Sequence, residues 1–462
     1  MAFLRRNGRA GLVMLLGALM VWALAQYAFV EGDTTALFDN VEGFLRCLRE
    51  GRFRACPTGG MFPPFQLLLV VLLRSLGLSP ATVELFIPRL SIVAFLGLFA
   101  VSWFTLKGRS RALAAMAPLV LASGLLLHYA NRSFGEITAA FFTLAFAASW
   151  LEGKTFVVGL TAFLAALTKE PAFAFLILLG SVCAVARCSD RLDARELWRR
   201  ERPRLGTMAL GLTLAVIVSI ALNLFRFGVP YNAAYLGFVP IGPSFSDQAN
   251  LFLALWLSPN AGLLFFWPLF VIVLLSVPIA VRKYSSVGRS LLAFWGVALL
   301  LALVTALCSG WWAPFGWWAW GQRLTIPWLP ASLLILCFAY APELESLLLR
   351  LLRTPTRAAL FTIIVIVVAL PHVASVFRSD ELIAGAFSNH PDCDEPTPET
   401  RARYYQCIEA LAWNEPSPLV HAYETLPHPF VRGRALIYAA LLALGGTTLF
   451  RLSRENTASV TI

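Results

Sequence analysis

Four carboxylates, Glu31, Asp33, Asp39 and Glu42, fall within "FVEGDTTALFDNVEGFLR" at 29–46, directly after an apolar run. A carboxylate held at the end of a membrane-length segment can take a proton from a hydroxyl as a general base, or it can merely cap a helix. Asp33, which follows Gly32 at the end of that run, is the first candidate, and Asp39 is held in reserve. Further along, "YANRSFGEITAAFF" supplies Arg132 and Glu136, and "ALTKEPAF" supplies Lys169 beside Glu170. "SGWWAPFGWWAWGQRLTIPWLP" at 309–330 places Arg323 among six tryptophans. Each has a plain alternative. Glutamate is favourable at a helix N-terminus, a lysine beside a glutamate can be ion-paired, and tryptophans at an interface form an ordinary belt. Charges at a membrane edge are nevertheless costly to keep. An acid beside several cations at the lipid–water boundary suits a lipid-anchored phosphate substrate.

The elements that must position these residues follow from composition. Of 462 residues, 58% are hydrophobic and only 14% are charged, too little polar surface for a soluble chain of this length. Apolar runs of about 20 residues recur, which predicts helices rather than the alternating strands of a barrel. The fold expected is all-α and polytopic, with twelve spans near 10–29, 88–106, 112–130, 137–151, 155–171, 172–187, 206–225, 261–281, 290–308, 323–341, 358–377 and 433–450. The first follows Arg5, Arg6 and Arg9 but lacks a convincing cleavage site, so it reads as a retained helix.

Lysine and arginine divide 22 to 15 between the two faces on this segmentation, and acidic residues 8 to 18, so the N-terminal side is net +14 and the other −3. That bias predicts both termini in the cytoplasm. It places Asp33, Arg132, Glu136, Lys169 and Arg323 at the outer ends of helices. The overall charge of +11 then needs no nucleic acid, because its densest block, "RCSDRLDARELWRRERPRL", lies in a cytoplasmic loop that is solvated or touches headgroups. Making "GGMFPPFQLLLVVLLRSLGLSP" a span would invert every later loop, so it is expected to lie at the outer interface within a first outer loop at 30–87. The expected organisation is a catalytic transmembrane module at 1–377, an outer loop at 378–432, and a last helix with a cytoplasmic tail at 433–462. Cys47 with Cys56, and Cys393 with Cys407, form two local pairs on the oxidising face that are compatible with disulfides. Cys183, Cys188, Cys308 and Cys337 read as small core residues.

In order, "GDTTALFDNVEGFLRCLREGRF", "FPPFQLLLVVLLRSLGLS", "IPRLSIVAFLGLFAV", "NRSFGEITAAFF", "GLTAFLAALTKEPAF", "LSPNAGLLFFWPLF" and "GQRLTIPWLP" resemble the GT-C superfamily of polyprenyl-phosphate-sugar-dependent glycosyltransferases. The likeness is to its protein-mannosyltransferase, aminoarabinose-transferase and lipopolysaccharide-core-transferase branch. It runs from the first span to about residue 340. By that resemblance Asp33 matches the first-loop catalytic acid and Glu136 the second-loop acidic position. Lys169 and Arg323 match positions near the donor phosphate, with Arg132 a further cation there, and "FPPF" opens an interfacial helix. The resemblance implies a polyprenyl-phosphate sugar donor and a glycolipid, polysaccharide or protein acceptor. It also implies a periplasmic active site on a multi-pass protein of the bacterial inner membrane. Many relatives carry a second acidic residue after the first-loop aspartate, whereas Thr34 follows Asp33 here. That departure weakens any paired-carboxylate or metal claim and leaves a divalent cation, Mg²⁺ or Mn²⁺, open; no other cofactor is implied. The alternatives are a polytopic transporter or flippase, a non-catalytic member of the fold, and another lipid-linked sugar enzyme such as an O-antigen ligase or polymerase. Against a transporter, the charges gather at one face rather than at mid-span.

Overall fold

The structure, a computed structural model, describes residues 32–56, 63–132, 135–169, 172–187, 194–233, 242–285, 290–311, 313–315, 320–387, 393, 397–414 and 417–460. The expected first span, 10–29, lies outside them. Among the described residues every regular element is helical. The helices begin with α1 (Gly32–Arg49), α2 (Pro64–Ser75), α3 (Pro80–Leu106), α4 (Arg111–Ala122) and α5 (Leu126–Tyr129). Next come α6 (Glu136–Glu152), α7 (Thr155–Thr168), α8 (Ala172–Arg187), α9 (Ala194–Phe227) and α10 (Phe245–Leu257). The chain continues through α11 (Leu263–Phe266), α12 (Pro268–Tyr284), α13 (Leu292–Ser309), a 3₁₀ turn (Arg323–Thr325), α14 (Leu329–Ala339) and α15 (Ala341–Leu351). It ends with α16 (Pro355–Phe387), α17 (Arg401–Trp413), α18 (Pro418–Thr425) and α19 (Pro429–Val460).

Five helices, within α3, α9, α13, α16 and α19, are long and apolar enough to cross a membrane by length and composition. The α14–α15 pair, bent by 92°, makes a sixth if taken as one broken span. Their outward faces carry stripes of exposed large apolar side chains: Leu210, Leu214, Ile217 and Leu224 on α9, and Trp295, Leu299, Leu303 and Leu307 on α13. In water such stripes would drive aggregation; against lipid tails they are the solvated surface. The chain is a multi-pass membrane protein.

Several expected spans are assembled from shorter pieces. The run 112–130 breaks after Ala122, and 261–281 breaks at Trp267, whose backbone leaves the helical region directly before Pro268, a residue type that disfavours helix at the position preceding it. The two breaks meet. A Cβ at Gly124 would lie 2.3 Å from the Trp267 ring, so only glycine admits the indole there. The indole Nε1 donates to Val120 O at 2.6 Å, and the Tyr438 hydroxyl donates to Ala122 O at 2.6 Å. Carbonyls left over at the end of α4 are thus satisfied by side chains of α19 and the α11–α12 junction, as a buried helix end requires. Pro371 inside α16 removes the N–H that would bond Val367 O, and the Tyr423 hydroxyl of α18 takes that carbonyl at 2.5 Å.

The expected interfacial segment forms α2, whose 12 residues span only about 18 Å. That is too short for a hydrocarbon core of about 30 Å. Arg74 near its end donates to Glu42 of α1 at 2.6 Å, so one of the four clustered carboxylates ties α1 to α2. Cys47 and Cys56 are disulfide-bonded, as are Cys393 and Cys407. The remaining described cysteines, Cys183, Cys308 and Cys337, are free and buried, while Cys188 lies outside the described residues. The region 378–432 is largely helical. Its α17 and the start of α18 are tied to the α10–α11 connection by Asn260 Nδ2 donating to Leu411 O at 2.6 Å and by Ser417 Oγ donating to Pro259 O at 2.8 Å.

Candidate active site

Three separate stretches of chain converge on Glu136. It is the first residue of α6, behind Gly135, whose φ of +80° turns the incoming loop onto the helix axis. Its side chain is fully buried, with 0% exposure. A buried carboxylate must be paired or it becomes very costly, and it is paired twice. Lys169 Nζ donates to Oε1 at 3.0 Å, and Arg323 Nε lies 3.2 Å from the same oxygen. Oε2 has no hydrogen-bond partner among the described residues.

Local sequence explains why each cation arrives. Lys169 is the C-cap of α7, and Pro171 two residues on disfavours helix at the residue before it, so α7 stops at Thr168 and hands over the lysine in extended backbone. Arg323 opens the 3₁₀ turn; its own N–H donates to Phe315 O at 3.2 Å and Gly321 O at 3.1 Å. Arg132, between α5 and α6, is buried, at 3% exposure. Lys169 and Arg323 thus meet on one oxygen of Glu136.

The segment between α1 and α3 reaches this place through α2. Gln66 lies over Gly135, where a Cβ would come within 2.3 Å of its Nε2. Alpha-1 carries Asp33 and Asp39 in its backbone, but their side chains lie outside the described residues. The helix itself is held at its far end: Cys56 N donates to Phe225 O of α9 at 2.8 Å, and Phe44 packs on Phe225 with ring centroids 4.4 Å apart. Of the expected residues, then, Glu136, Lys169 and Arg323 are brought into contact. Arg132 is buried on the adjoining loop. No group of three or more His, Cys, Asp or Glu side chains suited to a metal stands together among the described residues.

Some residues escaped the sequence reading. Gln66 is the one polar side chain in "FPPFQLLLVVLL", which is the signal that could have marked it. Trp320 and Trp328, expected as belt residues, are interior, 1% and 5% exposed. Trp320 instead sits in a polar cluster with Tyr129, His128, His372 and Ser375.

ArnT from Cupriavidus metallidurans bound to undecaprenyl phosphate superposes on the chain with a TM-score of 0.52 at 17% identity, over 98% of this chain and 79% of that one. The chain shares its fold with ArnT. The same ArnT in the apo state gives a TM-score of 0.45 at 15% identity, over 97% of this chain and 78% of that one. No protein-family model matches the chain, and no curated protein matches it by sequence. The likeness to ArnT thus lies in the fold.

Proposed function

We propose that the protein is a membrane glycosyltransferase that moves a sugar from a polyprenyl-phosphate donor to a glycolipid, polysaccharide or protein acceptor. One observation carries the reading: two cations from distant helices are held on a single buried carboxylate, in a fold shared with a protein that binds undecaprenyl phosphate.

The chemistry required is modest. A sugar phosphate already carries a leaving group, and the acceptor hydroxyl is a poor nucleophile at neutral pH. Asp33 is assigned as the general base that takes the hydroxyl proton, with Asp39 in reserve; such a base typically contributes about 10²–10⁴-fold. Direct displacement at the anomeric carbon inverts it and releases polyprenyl phosphate. Lys169, Arg323 and Arg132 stabilise the charge that develops on the departing phosphate oxygen. Glu136 is the second acidic residue of the site. Its Oε1 already meets both cations, so it acts by holding them ready for the phosphate. The surface between α2 and the neighbouring spans holds the polyprenyl chain. The arrangement proposed is twelve spans with the active site on the periplasmic face of the inner membrane and both termini in the cytoplasm. Residues 1–377 form the catalytic module, 378–432 an outer region beside the acceptor, and 433–462 the last helix and tail.

Purified protein in liposomes, given a panel of labelled undecaprenyl-phosphate sugars and a membrane-lipid extract, tests the reading. Transfer from at least one donor is expected. Movement of labelled lipid between leaflets with no transfer would replace the enzyme with a flippase.

A further inference from the structure

The polar cluster behind the site is bonded into the segments that carry Arg132 and Arg323; Arg132 N, for one, donates to Tyr129 O at 3.3 Å. The Trp320 indole Nε1 donates to His372 Nδ1 at 2.9 Å, and Trp320 O accepts the Tyr129 hydroxyl at 2.9 Å. The His128 ring stacks on Trp320 with centroids 5.6 Å apart and planes 19° from parallel. His128 Nδ1 lies 3.0 Å from Ser375 Oγ, and Ser375 Oγ donates to His372 O at 2.8 Å. All five residues are buried.

Hydrogen counting fixes the ring tautomers. An indole N–H can only donate, so His372 Nδ1 bears no proton and the imidazole carries its hydrogen on Nε2. Ser375 has one hydroxyl hydrogen, already directed at His372 O, so His128 Nδ1 is the donor toward Ser375. Nothing in this arrangement is interchangeable with apolar filler. Leucine or phenylalanine at 372 would pack but would leave the buried indole N–H without its acceptor, a costly state in an apolar interior.

The two segments that the cluster joins are two of the three that deliver charge, the third being the end of α7 with Lys169. Trp320 precedes Arg323 by three residues, and Tyr129 precedes Arg132 by three and Glu136 by seven. His372 and Ser375 themselves are carried by α16. We propose that His372 is a positioning residue: through Trp320 it fixes the 3₁₀ turn that presents Arg323, and through Trp320 and Tyr129 it sets that turn against the loop carrying Arg132 and Glu136. This rests on the glycosyltransferase reading for its effect on donor binding, though not for the strut itself.

The test uses full-length protein in nanodiscs, comparing wild type with His372→Leu and His372→Asn. Asparagine offers an amide oxygen as acceptor where leucine offers none. In His372→Leu, amide hydrogen exchange in 126–132 and 320–326 is expected to quicken while exchange in α7 and α9 stays unchanged. The KM for the polyprenyl-phosphate sugar rises about tenfold with kcat within about twofold, the signature of lost binding shared by ground and transition states. His372→Asn recovers most of that KM. An unchanged KM in folded His372→Leu, or an Asn variant no better than the Leu variant, overturns the proposal. If His372→Leu does not fold, Trp320→Phe removes the donor of the same hydrogen bond while keeping a ring, and an unchanged KM there overturns it equally. A wild type that transfers from no polyprenyl-phosphate donor defeats the glycosyltransferase reading alone. Exchange at 320–326 unaltered by His372→Leu defeats the strut whatever the activity.

Discussion

At the scale of single residues, the site is a problem in charge compensation. Glu136 is fully buried while Lys169 and Arg323 keep 23% and 18% of their side-chain surface, so the carboxylate is the inner anchor and the cations are its accessible faces. Removing one partner of a buried pair commonly costs about 3–5 kcal/mol, because an uncompensated charge is left behind. Glu136→Gln leaves two cations without their anchor, and a fall of several degrees in the thermal transition in detergent is expected together with loss of transfer. A transition within a degree of wild type would show that the pairing carries no structural weight. Lys169→Met leaves Arg323 on Glu136 and should weaken binding of undecaprenyl phosphate, read by native mass spectrometry, more than it lowers the transition. The contributing residues were legible one at a time, as charges stranded at the ends of apolar runs. Their pairing was not, since Glu136 and Arg323 lie far apart in the chain and no local pattern records the meeting. Gly135 and Gln66 were missed for the same reason: the clash that demands glycine comes from another helix.

At the scale of elements, hydropathy located the helices but not their interruptions. The break at Ser123–Gly124 lies where the Trp267 ring takes the space that a Cβ would need, and the one at Trp267 lies directly before Pro268. A window of apolar residues looks the same on either side of such a break. Both cysteine pairs were readable because the partners are close in sequence and lie outside the apolar runs. The Cys47–Cys56 bridge closes a short loop that fastens α1 to the end of α9. In the chain-entropy model such a loop contributes about 2–3 kcal/mol. Cys47→Ser/Cys56→Ser should therefore lower the thermal transition and expose α1 to limited proteolysis near Arg52. Identical digestion patterns for wild type and variant would indicate that the bridge is dispensable for holding α1.

At the scale of the whole molecule, the charges are distributed unequally between the two faces expected from the sequence. The charge bias predicts that a fluorescent protein fused after Ile462 folds in the cytoplasm and that alkaline phosphatase at the same position is inactive. The reverse outcome would put Glu136, Lys169 and Arg323 on the wrong side for a periplasmic reaction. The fold was legible as far as an all-helical, multi-pass chain with a short helix at 64–75; the broken spans and the helices within 401–425 were not, because they depend on contacts between segments distant in sequence. In the proposed reaction a first-loop carboxylate deprotonates the acceptor in front of a cation-held sugar phosphate. The measurement that meets it most directly is sugar transfer from an undecaprenyl-phosphate sugar by wild type against Asp33→Asn, each shown to be folded by its thermal transition and to bind the donor. The account predicts that Asp33→Asn retains donor binding and loses transfer by about 10²-fold or more. Transfer by Asp33→Asn at the wild-type rate would contradict it.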